Sequence, residues 1–270
     1  MAAEPIYSFA ALRNRLTIRG ALLAQTALRI GAGRDSSVID NDLPVLRDSR
    51  GAPLIPGASL KGALRARVET LIRAVAPAEA SDLQQIEERM RNGMADKSDA
   101  EVWDESTMID LTFGAPWIAG RIFFKDAMVD RSLWFGQFEV RNGVALNRDT
   151  ETVDQGKLYD YEVVPAGTRF DFELSIENGD DWQLGMVLLA LRPWERGEMQ
   201  IGGFRSRGLG YVRLEVRERR FVALDPGNPD TLLALLDGAG DPPSDKQIAG
   251  WVEAFRAKLR EKAAKEPGNA

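Results

Sequence analysis

One stretch of the chain, LIPGASLKGALRAR at residues 54–67, combines side chains that suit the binding of a phosphate group. Ser59 can cap a helix predicted over residues 60–75. Lys61 and Arg65 lie four residues apart and so share one face of that helix. A hydroxyl, the free N–H groups of a helix N-terminus and two cations together favour a bound phosphate. An ordinary capped surface helix with solvated cations is the alternative.

A second stretch, GGFRSRGLG at residues 202–210, has the composition of an anion-binding loop. Its glycines would let backbone N–H groups approach a ligand closely, and Arg205 and Arg207 add charges that suit phosphate. The glycines precede a predicted strand, so the loop is not a dinucleotide-binding fingerprint, and it has no GK[ST] ending of a P-loop. A tight turn at the entry to a strand explains the same residues without a ligand.

A third group of residues could act on a substrate because carboxylates crowd one loop. The loop between the first predicted strand and the helix carries Asp35, Asp40, Asn41, Asp42 and Asp48. Turn formation explains some of them, and a metal-binding or water-activating loop explains the whole cluster. The chain has no His and no Cys, which excludes His bases, Cys nucleophiles and zinc-thiolate sites. Any metal must therefore bind oxygen ligands, which favours Mg²⁺ or Mn²⁺.

The charges of the 270-residue chain are unevenly distributed around a net charge of −6. Residues 47–73 carry six basic and two acidic side chains, and residues 192–220 carry eight and four. Residues 78–110 hold ten acidic side chains against three basic ones. This pattern permits nucleic-acid binding on one face of the molecule. No apolar run is long enough for a membrane span and the first residues do not resemble a signal peptide, so we expect a cytoplasmic protein with no membrane partner.

Hydrophobic periodicity predicts the elements that must position these residues. Residues 78–110 are predicted to form an acidic helical insertion. Polar residues 139–162 are predicted to form a protruding loop or hairpin, with turn signals at Asn142-Gly143 and Gln155-Gly156. The remaining predicted elements are strands over residues 16–25, 121–129, 163–176 and 211–218, and helices over residues 60–75, 182–191 and 246–265.

The order of these signals resembles the RAMP superfamily of CRISPR proteins. Within it, the chain is most similar to the backbone subunit of type III effector complexes, the repeated Csm- or Cmr-type subunit, over residues 16–215. The resemblance implies an α+β fold with a ferredoxin-like or RRM-like palm over residues 1–220. The palm would include the helical insertion at 78–110 and a β-hairpin thumb at 140–162, and a C-terminal helical extension would cover residues 221–270.

The resemblance also implies roles for individual residues. Asp42 stands where the family's cleaving Asp opens an Asp-x-Pro-Val segment, which makes it the expected catalytic and metal-binding residue. The family's Ser-x-Lys-Gly-x-x-Arg motif falls on Ser59, Lys61 and Arg65, which would bind guide phosphates. Further RNA contacts are implied for Arg148 in the thumb and for Gly202, Gly203, Arg205, Ser206, Arg207 and Gly208 in the glycine loop.

The implied function is metal-dependent cleavage of target RNA paired to a guide (CRISPR) RNA, in antiviral defence. The implied partners are the guide RNA, the target RNA, other effector subunits, and further copies of this chain or its paralogues. Two alternatives remain open: an inert RNA-binding scaffold with the same fold, and an unrelated enzyme that uses the glycine loop for a phosphate cofactor. Some relatives have a His near the first glycine loop, and its absence here removes support for guide processing.

Overall fold

The computed structural model of the chain describes residues 7, 9–33, 43–146 and 153–265. The strands in this part of the chain are β1 (Asn14–Ala24), β2 (Leu54–Ile55), β3 (Ile122–Phe124), β4 (Ala127–Met128), β5 (Glu139–Leu146), β6 (Val153–Val163), β7 (Arg169–Glu177), β8 (Met199–Gln200) and β9 (Tyr211–Ala223). The α-helices are α1 (Gly57–Arg73), α2 (Leu83–Arg91), α3 (Asp99–Glu105), α4 (Met108–Phe113), α5 (Asp181–Glu195), α6 (Pro229–Leu236) and α7 (Asp245–Ala264).

An antiparallel sheet with the strand order β3-β7-β1-β9-β8 forms the centre of the fold. Four of its strands follow one another along the chain as β1, β3, β7 and β9. Helix α1 lies between β1 and β3 in the sequence, and α5 follows β7. The fold is thus a mixed α+β structure, as predicted, and its sheet is compatible with an RRM-like palm. The predicted strand over residues 121–129 is in fact divided into β3 and β4, and β4 pairs with β2 outside the main sheet.

One face of the sheet forms the hydrophobic core. The alternating residues of β7, such as Phe170 and Phe172, are buried there together with those of β1. Helices α1 and α5 contribute to the same core, and Trp194 of α5 packs edge-on against Phe172 with the ring centroids 6.3 Å apart. Because buried apolar area is the main stabilising term in folding, this face fixes α1 and α5 relative to the strands.

The other face of the sheet carries ion pairs that link neighbouring strands. Arg15 pairs with Glu177 at 2.6 Å, and Arg19 contacts Glu173 at 2.9 Å and Glu218 at 3.4 Å. Further along the same face, Arg169 and Arg213 both pair with Glu215. These four arginines are therefore already paired with carboxylates within the fold.

Helix α1 begins at Gly57, three residues before the predicted start, and Ser59 does not cap it. Pro56 occupies the N-cap position, and the Gly57 N–H donates to Oδ1 of Asp126 at 2.7 Å. A Cβ at Gly57 would overlap the carbonyl oxygen of Phe124, so only glycine permits this approach to the chain between β3 and β4. The predicted Ser59 cap is wrong because a distant carboxylate supplies the cap, and Ser59 lies exposed in the first turn.

Strands β5 and β6 form a separate two-stranded hairpin, and both predicted turn signals are wrong. Asn142 and Gly143 lie inside β5, where Gly143 pairs with Tyr159, and Gln155-Gly156 lies inside β6. A Cβ at Gly143 would overlap the Tyr159 ring, so this glycine makes room for an aromatic side chain on the partner strand. Residues 147–152, which include Arg148, lie outside the described residues.

The acidic segment predicted to be helical contains α2, α3 and α4, each of which begins with a reciprocal capping box. The C-terminal segment adds α6 and α7, and α7 packs on α5 at Gly185, where a Cβ would overlap the carbonyl oxygen of Trp251. Lys262 of α7 pairs with Glu79 at 2.8 Å. Among the described residues, no helix is both long enough and apolar enough to cross a membrane.

Candidate nucleic-acid interface

The glycine loop joins β8 to β9 and is fixed by backbone and side-chain hydrogen bonds. The Ile201 N–H donates to the Gly210 carbonyl at 2.9 Å, which closes the loop. Nε2 of Gln200 donates to the carbonyls of Arg205 and Leu209 at 2.8 and 2.9 Å, which holds its two sides together. Gly202 has a φ of +83°, and a Cβ there would overlap the carbonyl oxygen of Arg29. Glycine is therefore required at position 202 by close backbone packing, independently of any ligand.

The loop rests on the segment that follows β1. Its Gly203 N–H donates to the carbonyl of Arg29 at 2.8 Å, and its Gly210 N–H donates to the carbonyl of Ala27 at 2.9 Å. The side chain of Arg29 lies beneath the loop with 9% of the residue exposed. Among the described residues no carboxylate pairs with this guanidinium, and its buried Nε has no hydrogen-bond partner. Burial lowers the pKa of Arg29, since the charged form loses hydration.

Three aromatic rings connect the glycine loop to the base of the hairpin. Phe204 lies 4.7 Å from Tyr161, and Tyr161 lies 6.1 Å from Tyr159, measured between ring centroids. The guanidinium carbons of Arg29 and Arg207 lie 5.3 and 5.0 Å from the Phe204 centroid. Both distances are in the range of cation–π contacts.

Arg207 extends from this stack to the hairpin. Its Nη1 donates to the hydroxyl oxygen of Tyr159 at 2.6 Å, and this hydrogen bond raises the pKa of Arg207. Arg205 and Ser206 are exposed at the tip of the loop. The loop, its two arginines and the hairpin base therefore form one continuous surface.

The chain re-enters the described region beside this surface, at Leu43. The carbonyl of Leu43 accepts a hydrogen bond from the Glu162 N–H at 3.1 Å, and Oε2 of Glu162 accepts one from the Val45 N–H at 3.1 Å. Glu162 is the residue next to Tyr161 in β6, and its side chain also pairs with Arg47. The predicted catalytic and metal-binding residue Asp42 lies outside the described residues. The residue that follows it directly in the chain is fixed at the hairpin base.

Lys61 lies on the first turns of α1 with its side chain half-buried. Burial and the neighbouring Arg65 lower the pKa of its ammonium group. In the part of the chain that the structure describes, no carboxylate and no hydrogen-bond acceptor pairs with it. An anion that reached Lys61 would therefore not have to displace an acidic partner.

Arg65 differs from Lys61 because the fold already uses its guanidinium. Nε donates to Oε1 of Glu69 at 2.7 Å, and Nη1 donates to the carbonyl of Gly114 at 2.8 Å. Nη2 lies 3.9 Å from Oδ1 of Asp110, which is 1% exposed. These contacts tie α1 to the C-terminal end of α4. Arg65 is thus a structural residue, and its binding of RNA stays a prediction.

The structure brings some of the predicted site residues together and leaves others apart. Gly202, Gly203, Arg205, Ser206, Arg207 and Gly208 share the glycine loop. Among the described residues, no hydrogen bond or ion pair joins Ser59, Lys61 or Arg65 to that loop. The sequence patterns did not predict a role for Arg29 or for the aromatic rings. A charge inside the otherwise apolar run at residues 27–30 is the one signal that could have identified Arg29.

No group of three or more acidic side chains that could hold a metal ion occurs within residues 7, 9–33, 43–146 and 153–265. The loop that carries Asp35, Asp40 and Asp42 lies outside those residues, so Mg²⁺ or Mn²⁺ binding by Asp42 stays a prediction.

Comparison with known proteins identifies the family. The model of the RAMP superfamily matches residues 21–213. A protein of Methanothermobacter thermautotrophicus named CRISPR system Cms endoribonuclease Csm3 is 30% identical over 213 residues, which cover 75% of this chain and 85% of that protein. A protein of the same name from Methanocaldococcus jannaschii is 26% identical over 215 residues, which cover 75% and 79%. The chain belongs to the RAMP superfamily.

Proposed function

We propose that this chain is a guide-RNA-binding backbone subunit of a type III CRISPR effector complex and cleaves the paired target RNA. Two similar proteins carry the name of CRISPR endoribonucleases, and the matched region covers three quarters of this chain. The fold we propose is a ferredoxin-like palm with β5 and β6 as its thumb. Its partners would be guide RNA, target RNA, other effector subunits and further copies of this chain or its paralogues, in the cytoplasm.

The observation that carries the proposal is the convergence of three features on one surface. The glycine loop presents Arg205 and Arg207, the hairpin base adds Tyr159, and Leu43, the residue that follows Asp42 in the chain, is hydrogen-bonded at the hairpin base. Cations beside an aromatic surface suit the binding of an RNA backbone. Sequence recognition would come from pairing with the guide, so the protein needs to recognise only backbone and shape.

The proposed reaction is an in-line displacement that uses the nucleophile of the RNA itself. The 2′-oxygen attacks the adjacent phosphorus, the bond to the 5′-oxygen breaks, and the products carry a 2′,3′-cyclic phosphate and a 5′-hydroxyl. Asp42 would take the proton of the 2′-hydroxyl itself or would hold a metal ion whose bound hydroxide takes it. A bound Mg²⁺ or Mn²⁺ would supply a metal hydroxide and stabilise charge on the phosphate. Lys61, Arg205 and Arg207 would bind flanking phosphates and keep the linkage in place.

Asp42→Asn in the assembled complex tests this proposal. We expect target cleavage to fall by about 10²–10⁴-fold, the usual contribution of a positioned acid or base, with assembly and guide content unchanged. Asp104→Asn is the matched control because it removes one exposed carboxylate from α3 and should leave cleavage unchanged. The products should carry a cyclic phosphate, and cleavage should stop with EDTA and return with Mg²⁺ or Mn²⁺.

A wild-type complex that binds target but never cleaves it with either ion would refute the enzymatic part and leave an inert scaffold. Cleavage retained by Asp42→Asn would show that another residue acts as the base. A chain that binds no RNA at all would refute the whole proposal.

A further inference from the structure

Arg29 is a buried cation that has no carboxylate partner among the described residues. It follows β1 in the run Ala27-Leu28-Arg29-Ile30, whose other three members are buried apolar residues. A guanidinium loses hydration when it is buried, and this cost is normally offset by a carboxylate or by several hydrogen bonds. Among the described residues Arg29 has neither, beyond its contact with the face of Phe204.

Two glycines leave room for the guanidinium of Arg29. A Cβ at Gly31 would lie 2.8 Å from its Nη1, and a Cβ at Gly203 would lie 3.4 Å from the same atom. Neither glycine has a positive φ, so the backbone does not require glycine at either position. The absence of side chains at Gly31 and Gly203 therefore leaves space beside this guanidinium on two sides.

The surroundings of this guanidinium are cationic and aromatic. Arg207 lies on the same Phe204 ring, and that ring packs against Tyr161 of the hairpin. The two arginines on this ring repel each other and give the surface a positive electrostatic potential, which would attract an anion. Glu162, a carboxylate at the hairpin base, already accepts a hydrogen bond from the Val45 N–H and pairs with Arg47.

We propose that Arg29 binds one phosphodiester group of an RNA strand that passes over the glycine loop between Gly31 and Gly203. This inference rests on the proposed function and adds a binding residue to it. A guanidinium presents several N–H donors in one plane and matches two oxygens of a phosphate. The Phe204 ring lies against the guanidinium and restricts its orientation, and the bound phosphate supplies the anionic partner that the fold leaves out.

Arg29→Gln and Gly203→Ala in the full-length chain test the proposal in two independent ways. The first removes the charge, and the second keeps the charge but places a methyl group over the guanidinium. The assay is fluorescence anisotropy with a labelled single-stranded RNA over a series of KCl concentrations. Arg29→Gln should reduce the magnitude of the slope of log K against log [KCl] by about 0.7, the value for one phosphate contact on a single strand. Gly203→Ala should weaken binding several-fold, and Arg29→Lys should restore most of the slope.

A stability measurement separates a binding role from a structural one. Removal of an unpaired buried charge should leave the thermal unfolding midpoint of Arg29→Met unchanged or raised. Gly250→Ala is the control for Gly203→Ala, because nothing lies within 4 Å of a Cβ at Gly250 in α7 and RNA affinity should not change. Unchanged affinity and salt slope in Arg29→Gln and Gly203→Ala, beside a wild-type chain that binds RNA, would overturn this inference alone. A wild-type chain that binds no RNA would overturn the proposed function as well.

Discussion

Lys61 and Arg65 share one face of α1, yet the structure predicts opposite effects when each is replaced by alanine. Lys61 has no acidic partner among the described residues, whereas Arg65 bonds to Glu69 and to the carbonyl of Gly114. The two variants should therefore separate RNA binding from stability on the same helix.

For Arg65→Ala, the lost contacts give the magnitude. A hydrogen bond from a charged group to a carbonyl contributes about 1.5–3 kcal/mol, and an exposed i,i+4 ion pair contributes about 0.3–0.5 kcal/mol. Because the side chain of Arg65 is 27% exposed, we take the lower end of these values and expect a loss of about 2 kcal/mol. For a domain of this size the thermal midpoint should fall by about 4–8 °C.

For Lys61→Ala, stability should be unchanged or slightly raised, because a like-charge i,i+4 pair costs about 0.2–0.5 kcal/mol. Its RNA affinity should fall about tenfold, which corresponds to about 1.4 kcal/mol, and its salt slope should decrease by about 0.7. Arg67→Ala, which removes an exposed cation from the same helix, is the control for net charge and should change affinity less than twofold. The reasoning fails if Lys61→Ala unfolds as early as Arg65→Ala, or if it binds RNA as tightly as the wild type.

Two further substitutions test the packing and the electrostatics of the fold. Gly57→Ala should lower the free energy of unfolding by about 1–3 kcal/mol, since the new Cβ overlaps the Phe124 carbonyl, and denaturant titration would show no change if α1 can shift away. Gly62→Ala, on the same helix with open space around its Cβ, should instead stabilise by up to about 1 kcal/mol. Hydrogen bonds, first of all from Lys265, lower the pKa of Glu261 from 4.5 to about 2, so its contribution is present above pH 4.5 and is lost as the pH falls toward 2. Glu261→Gln should therefore unfold earlier than the wild type at neutral pH and low salt, and the two midpoints should converge near pH 2.

The elements that sequence periodicity predicted well are those whose own residues decide their structure. The strict alternation around Phe172 predicted β7, and the apolar composition of residues 182–191 predicted α5. The predictions failed where a distant group overrides the local signal. Asp126 caps α1 instead of Ser59, and Gly143 accommodates the ring of Tyr159 instead of forming a turn. Local propensity contains no information about either partner.

The candidate site shows the same division. The two arginines and the glycines of the loop are contiguous in the chain, so their composition alone made the segment a candidate for anion binding, which stays a prediction. Arg29 becomes a candidate binding residue only because it contacts Gly203 and Phe204, which lie far from it in the sequence. Arg65 shows the reverse, because its motif suggested a ligand and the structure supplies intramolecular partners. Composition shows which charges exist, and only the fold shows which of them are already paired.

Whether its cations are already paired determines which face of the molecule is suited to bind RNA. On the open face of the sheet, Arg15 and Arg19 are held by carboxylates of neighbouring strands, so a phosphate would have to displace an existing partner to reach them. At the glycine loop, Arg29 and Arg205 have no carboxylate partner among the described residues. A phosphate could therefore bind there without displacing an existing ion pair. Phosphate contacts supply most of the affinity for a nucleic-acid backbone. A strand of RNA should therefore follow the glycine loop and the hairpin base and should avoid the open face of the sheet.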